Sequence, residues 1–372
     1  MAKRIIVSVT NDLSTDQRVA KTCKSLQKLG FDIILVGRML KDSLPVDRPY
    51  PTHRMRLAFN RGPLFYIEYN MRLFFYLIQQ RPDILLANDL DTLLANYLAY
   101  TSFSKVDLIY DSHEYFTEVP ELKGRWARKA WLLLENWIFP KLKRVYTVNR
   151  SIAEIYRNKY GVDVKVVHNF PEIEGLEKLT DRAELGLPLH KKIIIMQGAG
   201  LNLDRGGEEA VNAMRYLSED YFLVVVGAGD RIEAMKHLAR SEELKDKIRF
   251  EPKMPYKEMM QFTFNADLGL NLDKGDSQNY IYALPNKVVD YMAAGIPVLN
   301  SDMHESRRFV EEKAIGLIID EVTPKKVAQG IEKVFAKKET YEKWKKNALI
   351  AKKTVNWAHE EKIIHQMFSP LV

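Results

Sequence analysis

Residues 282–299 read YALPNKVVDYMAAGIPVL, a pattern that predicts a short helix followed at once by a strand. Pro285 suits the first turn of a helix, because its missing N–H would have no partner there. Gly295 suits the position just after the last helical residue, and Pro297 prevents the helix from continuing. We therefore expect a helix over residues 285–294 and a strand directly after Pro297.

Lys287 stands in the first turn of this predicted helix, where a positive charge opposes the helix dipole. The mismatch is resolved if an anion binds there, because backbone N–H groups, the dipole and the ammonium then converge on a phosphate. Asp290 lies on the same helix face one turn later, and a carboxylate there can accept hydrogen bonds from ribose hydroxyls. The alternative is a surface Lys–Asp pair without a ligand, and the spacing alone leaves both readings open.

Short apolar runs alternate with helical patterns on both sides of this stretch. The runs are apolar on both faces, which indicates parallel strands covered by helices. Their alternation with helices predicts an α/β fold of two doubly wound domains, and 372 residues suffice for both. We predict twelve strands, at residues 5–9, 32–36, 84–86, 108–110, 145–148, 164–167, 193–196, 222–226, 248–250, 268–272, 297–299 and 316–319.

The domain boundary is expected at an acidic, turn-rich stretch after Pro171. We predict an N-terminal domain over residues 1–168 and a C-terminal domain over residues 172–350. Two such Rossmann-like domains would face a cleft, because ligands of open parallel sheets bind at the carboxyl ends of the strands. The last helical segment, about 355–372, is a candidate to pack back on the first domain.

A second loop of the C-terminal domain, residues 196–207, reads MQGAGLNLDRGG and follows the first strand of that domain. Gly198 and Gly206 allow a backbone to approach phosphates closely, and Arg205 can donate to phosphate oxygens. A flexible solvent loop is the alternative. Arg205 and Lys287 together predict a pyrophosphate site. Residues 227–229 read GAG without the third glycine of a dinucleotide fingerprint and predict only a tight turn.

These motifs resemble the retaining glycosyltransferases of family 4, the group 1 family with the GT-B fold. The family segment P-x-K-x-x-[ED]-Y-M-A-x-G-x-P-V matches from Pro285 to Val298. Further matches are Arg205-Gly206, Asp111-Ser112-His113-Glu114 and Asn356-Trp357.

The resemblance implies that the C-terminal domain binds a nucleoside-diphosphate sugar and the N-terminal domain an acceptor. Arg205 and Lys287 would neutralise the diphosphate, and Asp290 would hold the ribose. The sugar would be transferred with retention, without a metal or another cofactor. The implied role is bacterial cell-surface polysaccharide or glycolipid synthesis, from UDP- or GDP-sugars to saccharide or lipid-linked acceptors.

Two positions depart from the family pattern. The first glutamate of the family's E-x7-E motif is replaced by Tyr282, and a basic residue frequent in relatives is replaced by Ala199. The donor sugar is therefore left open, and Asn279, Tyr280 and Tyr282 are the candidates to contact it. A nucleotide-sugar 2-epimerase of the same architecture and a non-catalytic sugar-nucleotide-binding protein are the alternatives.

The N-terminal domain offers weaker candidates. The resemblance implies that His113 is catalytic, lining the cleft near the reacting sugar. Asp16, Arg18 and Glu114 are candidates to bind the acceptor, and Arg18 can equally reach an anionic donor. Asp16 or Ser14 can instead be a helix N-cap, and Glu114 and Glu118 are the two candidates for the base that deprotonates the acceptor.

The D-x-D pattern of Asp89 and Asp91 precedes a helical run. We interpret one of these two residues as an N-cap rather than as a metal ligand, and no metal site is predicted.

The net charge of +7 favours an anionic partner. Residues 123–144 contain seven Lys or Arg, one acidic residue and Trp126, Trp131 and Trp137. Such a helix can lie on an anionic membrane surface, or its tryptophans can pack inward. No nucleic-acid module is recognisable, and no export signal or spanning segment is predicted. With the single Cys23, these features favour a cytoplasmic protein, peripheral on the inner face of the membrane.

Overall fold

The structure is a computed structural model that describes residues 2–14, 16–41 and 43–372. The chain forms two compact units. Unit 1 comprises Met1–Asn169 together with Ala358–Val372, and unit 2 comprises Phe170–Trp357. Each unit is built around one parallel β-sheet.

Unit 1 contains a seven-stranded parallel sheet in the order β3-β2-β1-β4-β5-β6-β7. Its strands are β1 (Arg4–Asp12), β2 (Asp32–Met39), β3 (Thr52–Arg56), β4 (Ile84–Asn88), β5 (Asp107–Ser112), β6 (Arg144–Thr147) and β7 (Val164–Val166). Its helices are α1 (Gln17–Lys28), α2 (Gly62–Gln80), α3 (Leu90–Ser102), α4 (Trp126–Ile138) and α5 (Arg150–Tyr160).

The sequence prediction of six strands in this half missed β3. This strand reads THRMR and buries only Met55, so it carries no apolar run. Its place at the edge of the sheet explains this composition, because an edge strand pairs on one side only.

Unit 2 contains a six-stranded parallel sheet in the order β10-β9-β8-β11-β12-β13, and all six strands were predicted. The strands are β8 (Lys192–Gly198), β9 (Tyr221–Gly227), β10 (Ile248–Glu251), β11 (Leu268–Asn271), β12 (Val298–Ser301) and β13 (Gly316–Ile319). The helices are α6 (Gly207–Ala213), α7 (Ile232–Ala239), α8 (Tyr256–Phe264), α9 (Gln278–Tyr282), α10 (Asn286–Ala294), α11 (His304–Lys313), α12 (Pro324–Ala336) and α13 (Lys338–Lys352).

The last helix, α14 (Trp357–Phe368), contributes nearly all of its residues to unit 1. Its Glu360 accepts a hydrogen bond from the backbone N–H of His168 at 2.8 Å. Phe368 packs edge-on against Phe31, with 6.3 Å between the ring centroids.

Both faces of the unit 2 sheet are buried, as expected for parallel strands between helices. Along β8, Ile194 and Met196 belong to one apolar cluster. Ile193 and Ile195 belong to the other. The helices on both faces therefore fix the strands, and the loops after the strands carry the polar groups.

In each sheet the chain reverses its direction of strand addition once, between β1 and β4 in unit 1 and between β8 and β11 in unit 2. Ligands of open parallel sheets bind at such reversals, outside the carboxyl ends of the strands. Arg205 and Gly206 lie in the loop after β8, and Asp89 follows β4 directly.

The GAG sequence after β9 forms the tight turn that the sequence predicts. Gly227 has φ +138°, and a Cβ there would lie 1.9 Å from the carbonyl oxygen of Gly198. A Cβ at Gly229 would lie 2.3 Å from the carbonyl oxygen of Leu201. These glycines are needed because the loops after β8 and β9 run against each other.

Arg18 of α1 is buried in unit 1, with 4% of its side chain exposed. Its Nη2 and Nε donate to the two carboxylate oxygens of Asp111 at 2.7 and 3.1 Å, and its Nη1 donates to the carbonyl of Val167 at 2.9 Å. The expectation that Arg18 binds an acceptor is corrected accordingly. Its guanidinium ties α1 to the end of β5.

We expect Arg18→Met to lower the free energy of unfolding by about 3–5 kcal/mol, because it leaves the buried carboxylate of Asp111 without its main counter-charge. Urea denaturation followed by circular dichroism measures this. Arg4→Met is the matched control, since the Arg4–Asp32 pair is 44% and 42% exposed and such a pair contributes about 0–1 kcal/mol. Equal losses in the two variants would contradict the prediction.

Candidate functional site

Arg205 and Lys287 meet at one carboxylate in unit 2. The Lys287 Nζ donates to Asp273 Oδ1 at 2.9 Å, and the Arg205 Nη1 donates to Asp273 Oδ2 at 2.5 Å. Asp273 is 2% exposed and lies two residues after the end of β11. Two cations share one anion, so this cluster carries a surplus of positive charge.

Asp273 was not among the residues predicted from the sequence. A signal was present, because an acidic residue just after a buried strand at the point of reversal lies where ligands bind. Burial lowers the pKa of the Lys287 ammonium and the neighbouring Arg205 lowers it further, while Asp273 opposes both effects. An added anion would therefore stabilise the charged form of Lys287.

Tyr280 and Gly206 hold Arg205 in place. The Arg205 guanidinium lies over the Tyr280 ring of α9, 3.9 Å from its centroid, a cation–π contact. Gly206 has φ +71°, and a Cβ there would lie 2.4 Å from the carbonyl oxygen of Leu272. Gly206 was expected to approach a phosphate, but its backbone packs against Leu272, just after β11. This close approach brings Arg205 beside Asp273.

Asp290 lies in α10, one turn beyond Lys287, and is 7% exposed. Its Oδ1 accepts from the Tyr256 hydroxyl at 2.8 Å, and its Oδ2 accepts from Gln197 Nε2 at 3.1 Å. The helix begins at Asn286, so Pro285 is its N-cap rather than its first residue as predicted. The carboxylate is thus held in one orientation by groups from β8 and α8.

The remaining donor-site candidates lie in the same unit. Asn279 is buried in α9. Tyr282 ends this helix and packs edge-on against His304 of α11, with 5.5 Å between the ring centroids. Gly198 ends β8 beside the turn at Gly227. Tyr282, which stands where the family pattern has a glutamate, thus contributes an aromatic ring next to α11.

Unit 1 contains a pocket of about 280 Å³ at the carboxyl ends of β1 and β4, where the strand order reverses. It brings the predicted residues His113 and Glu114 together with the D-x-D pair. Its lining consists of Val9, Thr10, Asn11, Asn88, Asp89, Asp91, His113, Glu114 and Phe116.

His113 lies between two carboxylates. Its Nδ1 is 3.2 Å from Asp89 Oδ2, and its Nε2 is 3.1 Å from Asp111 Oδ2. Burial acts to lower the pKa of His113, but Asp89 and Asp111 outweigh it and raise the pKa to about 9. The raised pKa favours the protonated ring, so His113 is disposed to donate hydrogen bonds rather than to take up a proton.

Asp89 occupies the N-cap position of α3, as predicted for one of these two residues, but its side chain does not cap the helix. Asp89 precedes α3 with φ 59° and ψ 165°, and its side chain makes no capping hydrogen bond. It accepts instead from the backbone N–H of His113 at 2.8 Å, and Asp91 accepts from the Thr10 hydroxyl at 2.5 Å. Both carboxylates thus serve contacts across the sheet. A non-glycine residue in this backbone region is strained by about 1–3 kcal/mol.

Asp16 was predicted either to cap a helix or to bind the acceptor. Its side chain caps α1 by accepting from the backbone N–H of Val19 at 3.1 Å. Glu114 is half-buried in the pocket lining. Glu118 is paired with Arg128 of α4. Within residues 2–14, 16–41 and 43–372 no group of three or more His, Cys, Asp or Glu is arranged to hold a metal ion.

The tryptophans of α4 divide between the two predicted alternatives. Trp131 packs inward against Tyr66 and Phe116, with ring centroids at 5.0 and 5.2 Å. Trp126 and Trp137 are 68% and 47% exposed, and Trp137 also packs edge-on against Tyr97 of α3, with 5.6 Å between the ring centroids. Inward packing is therefore correct for Trp131 and correct in part for Trp137.

Helix α2 presents a second exposed apolar stripe in unit 1. Leu64, Ile67, Met71 and Phe75 recur every three to four residues and are all more than half exposed. The Tyr66–Trp131 contact places this helix beside α4. We define the α2–α4 face by eight exposed residues of these two helices: Leu64, Ile67, Met71, Phe75, Trp126, Lys129, Leu133 and Trp137. Among the described residues, no helix has the length and apolar character required to cross a bilayer.

Two family models match the chain. The model of glycosyl transferases group 1 matches residues 177–350, and the model of glycosyltransferase family 4 matches residues 16–174. An uncharacterized glycosyltransferase of Methanocaldococcus jannaschii is 22% identical over 336 residues, which cover 87% of this chain and 84% of that protein.

Solved structures share the fold at low sequence identity. Sucrose-phosphate synthase of Thermosynechococcus elongatus superposes with a TM-score of 0.83 at 15% identity, covering 99% of both chains. HepE of Anabaena in complex with UDP-glucose superposes with a TM-score of 0.73 at 14% identity, covering 99% of this chain and 100% of that one. With both halves of the sequence matched by family models, the chain belongs to the group 1 glycosyltransferases of family 4 and has their GT-B fold.

Proposed function

We propose that this glycosyltransferase moves a sugar from a UDP- or GDP-sugar to a hydroxyl of a saccharide or lipid-linked acceptor, with retention at the anomeric carbon. The observation that carries the proposal is that Arg205 and Lys287, the latter in the first turn of α10, both pair with the single carboxylate of Asp273. The proposed role is the synthesis of a bacterial cell-surface polysaccharide or glycolipid on the cytoplasmic side of the membrane.

The diphosphate of the donor would lie against this cluster. Both cations and the positive end of the α10 helix dipole favour an anion there. Negative charge on the diphosphate grows as its bond to the sugar breaks, so pre-placed cations stabilise the transition state more than the bound donor. This supports a reaction without a metal, because Arg205 and Lys287 supply the positive charge at the leaving group.

We assign the other donor contacts to residues around this cluster. The Asp290 carboxylate, already oriented by Tyr256 and Gln197, would accept from the ribose hydroxyls. Gly198, Asn279 and Tyr282 would contact the rest of the donor.

In unit 1, His113 would act as a charged hydrogen-bonding group rather than as a base, because its pKa is raised to about 9. Glu114, beside it in the pocket lining, would contact the acceptor. Asp16, at the start of α1, would also contact the acceptor.

UDP or GDP at about 100 times its dissociation constant should add about 2.7 kcal/mol to the stability of the chain. Arg205→Ala and Lys287→Ala should weaken this stabilisation, because each removes a cation from the diphosphate. A thermal-shift panel of UDP, GDP, ADP and CMP measures it, with Lys326→Ala as the control, since this lysine is 45% exposed on α12. Unchanged shifts in both site variants would contradict the assignment. Epimerised sugar formed from donor alone would identify an isomerase instead.

Asp273→Asn should lower the stability of the ligand-free chain and increase its stabilisation by pyrophosphate. The substitution keeps the shape of the side chain but leaves two cations without their counter-charge, which costs about 1–3 kcal/mol. Pyrophosphate then meets no competing carboxylate. Thermal shifts in pyrophosphate measure both effects, with Asp302→Asn as the control, because Asp302 pairs with Arg307 at the surface. A smaller pyrophosphate shift in Asp273→Asn than in the unmodified chain would argue against the site.

The α2–α4 face supports the further proposal that unit 1 binds an anionic membrane surface. The exposed apolar stripes of both helices are accompanied by exposed basic residues: Arg61, Arg72, Lys123, Arg125 and Lys129. Amphipathic helices with such a composition insert their apolar side chains at the boundary between headgroups and acyl chains. This fits a lipid-linked acceptor.

Ile67→Gln combined with Leu133→Gln should weaken binding to phosphatidylglycerol-containing vesicles by about tenfold or more, because two side chains no longer insert. Vesicle co-sedimentation measures the partition. Leu189→Gln combined with Ile350→Gln is the control, since these side chains of unit 2 are 58% and 53% exposed. Membrane binding through this face would be refuted if the unmodified chain and both double variants partitioned equally. It would also be refuted if the unmodified chain did not bind vesicles that contain phosphatidylglycerol.

A further inference from the structure

Asp290 ends a chain of buried polar side chains in unit 2. The Thr263 hydroxyl donates to Gln197 Oε1 at 2.6 Å, and Gln197 Nε2 donates to Asp290 Oδ2 at 3.1 Å. The Tyr256 hydroxyl donates to Asp290 Oδ1 at 2.8 Å. Thr263, Gln197 and Asp290 are 0%, 1% and 7% exposed, so little water competes for these hydrogen bonds.

The chemistry of the groups fixes the direction of each hydrogen bond. An ionised carboxylate only accepts, so the Gln197 amide turns its NH₂ group toward Asp290 and its oxygen toward Thr263. The backbone N–H of Gln197 donates to the Tyr291 hydroxyl at 3.3 Å and adds a second attachment. Gln197 is therefore held as a donor to Asp290.

Tyr256, the first residue of α8, is the other donor. Burial raises the pKa of the Tyr256 hydroxyl, and the Asp290 carboxylate raises it further. The hydroxyl therefore keeps its proton and remains a donor at neutral pH. Tyr256 from α8 and Gln197 from β8 thus each hold one oxygen of the same carboxylate.

A gain in stability does not account for this arrangement. Burying a carboxylate has a large desolvation cost that its hydrogen bonds only offset, and apolar side chains of similar size would fill the space without it. The effect of the two donors is to fix both torsion angles of the Asp290 side chain. They set the direction in which the carboxylate presents its oxygens.

The orientation of this carboxylate bears on the donor site. Asp290 lies one turn after Lys287 on α10, and Lys287 belongs to the cation cluster. Aspartate is one methylene shorter than glutamate, the other residue that the family pattern has at this position. A shorter side chain has less reach to adjust to a ligand, so its contact with a hydroxyl depends more on how it is held.

We propose that Tyr256 and Gln197 are positioning residues that aim the Asp290 carboxylate at the ribose hydroxyls, and that Thr263 acts through Gln197. The site would then select ribonucleotides over deoxyribonucleotides. A carboxylate ordered before the ligand arrives loses no further side-chain freedom on binding, so its hydrogen bonds contribute more fully to affinity. The inference rests on the proposed function, in which Asp290 receives the ribose.

The test is calorimetry on the full chain with UDP, GDP and their 2′-deoxy and 3′-deoxy analogues. Tyr256→Phe removes one donor and keeps the ring, and Thr263→Val removes the hydroxyl that orients Gln197 and keeps the shape. Either variant suffices if the other does not fold. Tyr341→Phe is the matched control, because the Tyr341 hydroxyl donates to the carbonyl of Asp267 at 3.0 Å. Asp267 precedes β11 and lies at the opposite edge of the sheet from the cation cluster.

We expect UDP or GDP to bind about tenfold or more tightly than the analogue that lacks the hydroxyl received by Asp290. Tyr256→Phe should weaken the ribonucleotide by about fivefold and leave this deoxy analogue nearly unchanged, so that the ratio of the two dissociation constants falls. Thr263→Val should lower the ratio less, since it acts through Gln197. Tyr341→Phe should leave the ratio unchanged.

A second comparison separates positioning from a general structural role. In Asp290→Ala, the additional change Tyr256→Phe should not alter the affinity for UDP or GDP, because Tyr256 acts through the carboxylate that is no longer there. A structural role of Tyr256 would weaken ribonucleotides and deoxyribonucleotides by the same factor and would persist in Asp290→Ala.

The inference is overturned if the ribonucleotide and both deoxy analogues bind the unmodified chain equally. It is also overturned if Tyr256→Phe and Thr263→Val leave the ratio unchanged, or if the effect of Tyr256→Phe persists in Asp290→Ala. In these cases the proposed function stands as long as UDP or GDP binds and Lys287→Ala weakens that binding. If neither nucleotide binds the unmodified chain, the proposed function fails and this inference fails with it.

Discussion

The reversal of strand order in each sheet is the constraint on which the candidate sites depend. Because all strands in a sheet are parallel, every strand ends at the same edge, and the loops after two neighbouring strands meet at the reversal. Arg205 follows β8 and Asp273 follows β11, so residues far apart in sequence share one ion cluster. In unit 1 the same geometry brings Thr10 beside Asp91.

The two reversals differ in the charged groups that they bring together. In unit 2, two cations share one carboxylate, which favours an anionic ligand. In unit 1, the pocket lining combines His113 with Asp89 and Asp91, and burial raises the pKa of the two aspartates to about 8 and about 7. The family membership explains the shared architecture, and the local side chains explain why the two reversals differ.

Several sequence-based readings failed where side chains found partners across the sheet. Arg18 lies in the first turn of a helix, where an exposed arginine would be able to bind an anion. Arg18 is instead buried, because its guanidinium pairs with Asp111, which lies 93 residues later near the end of β5. Aspartate is a common helix-capping residue. The Asp89 side chain nevertheless accepts from the backbone N–H of His113, and the Asp91 side chain accepts from the Thr10 hydroxyl. β3 escaped prediction because an edge strand needs no apolar run. For Arg18, Asp89 and Asp91, a long-range contact overrode a local preference.

The sequence by itself determined the two parallel sheets, the helix after Pro285 and the positions of Arg205, Lys287 and Asp290. These features depend on local periodicity, on capping residues and on the fixed φ of proline, all of which act over a few residues. Only the tertiary structure decided that Asp273 joins the two cations, that Tyr256 and Gln197 hold Asp290 and that Trp126 faces outward. Those outcomes depend on which strand ends and helix faces become neighbours, and that is set by strand order rather than by any short stretch of sequence.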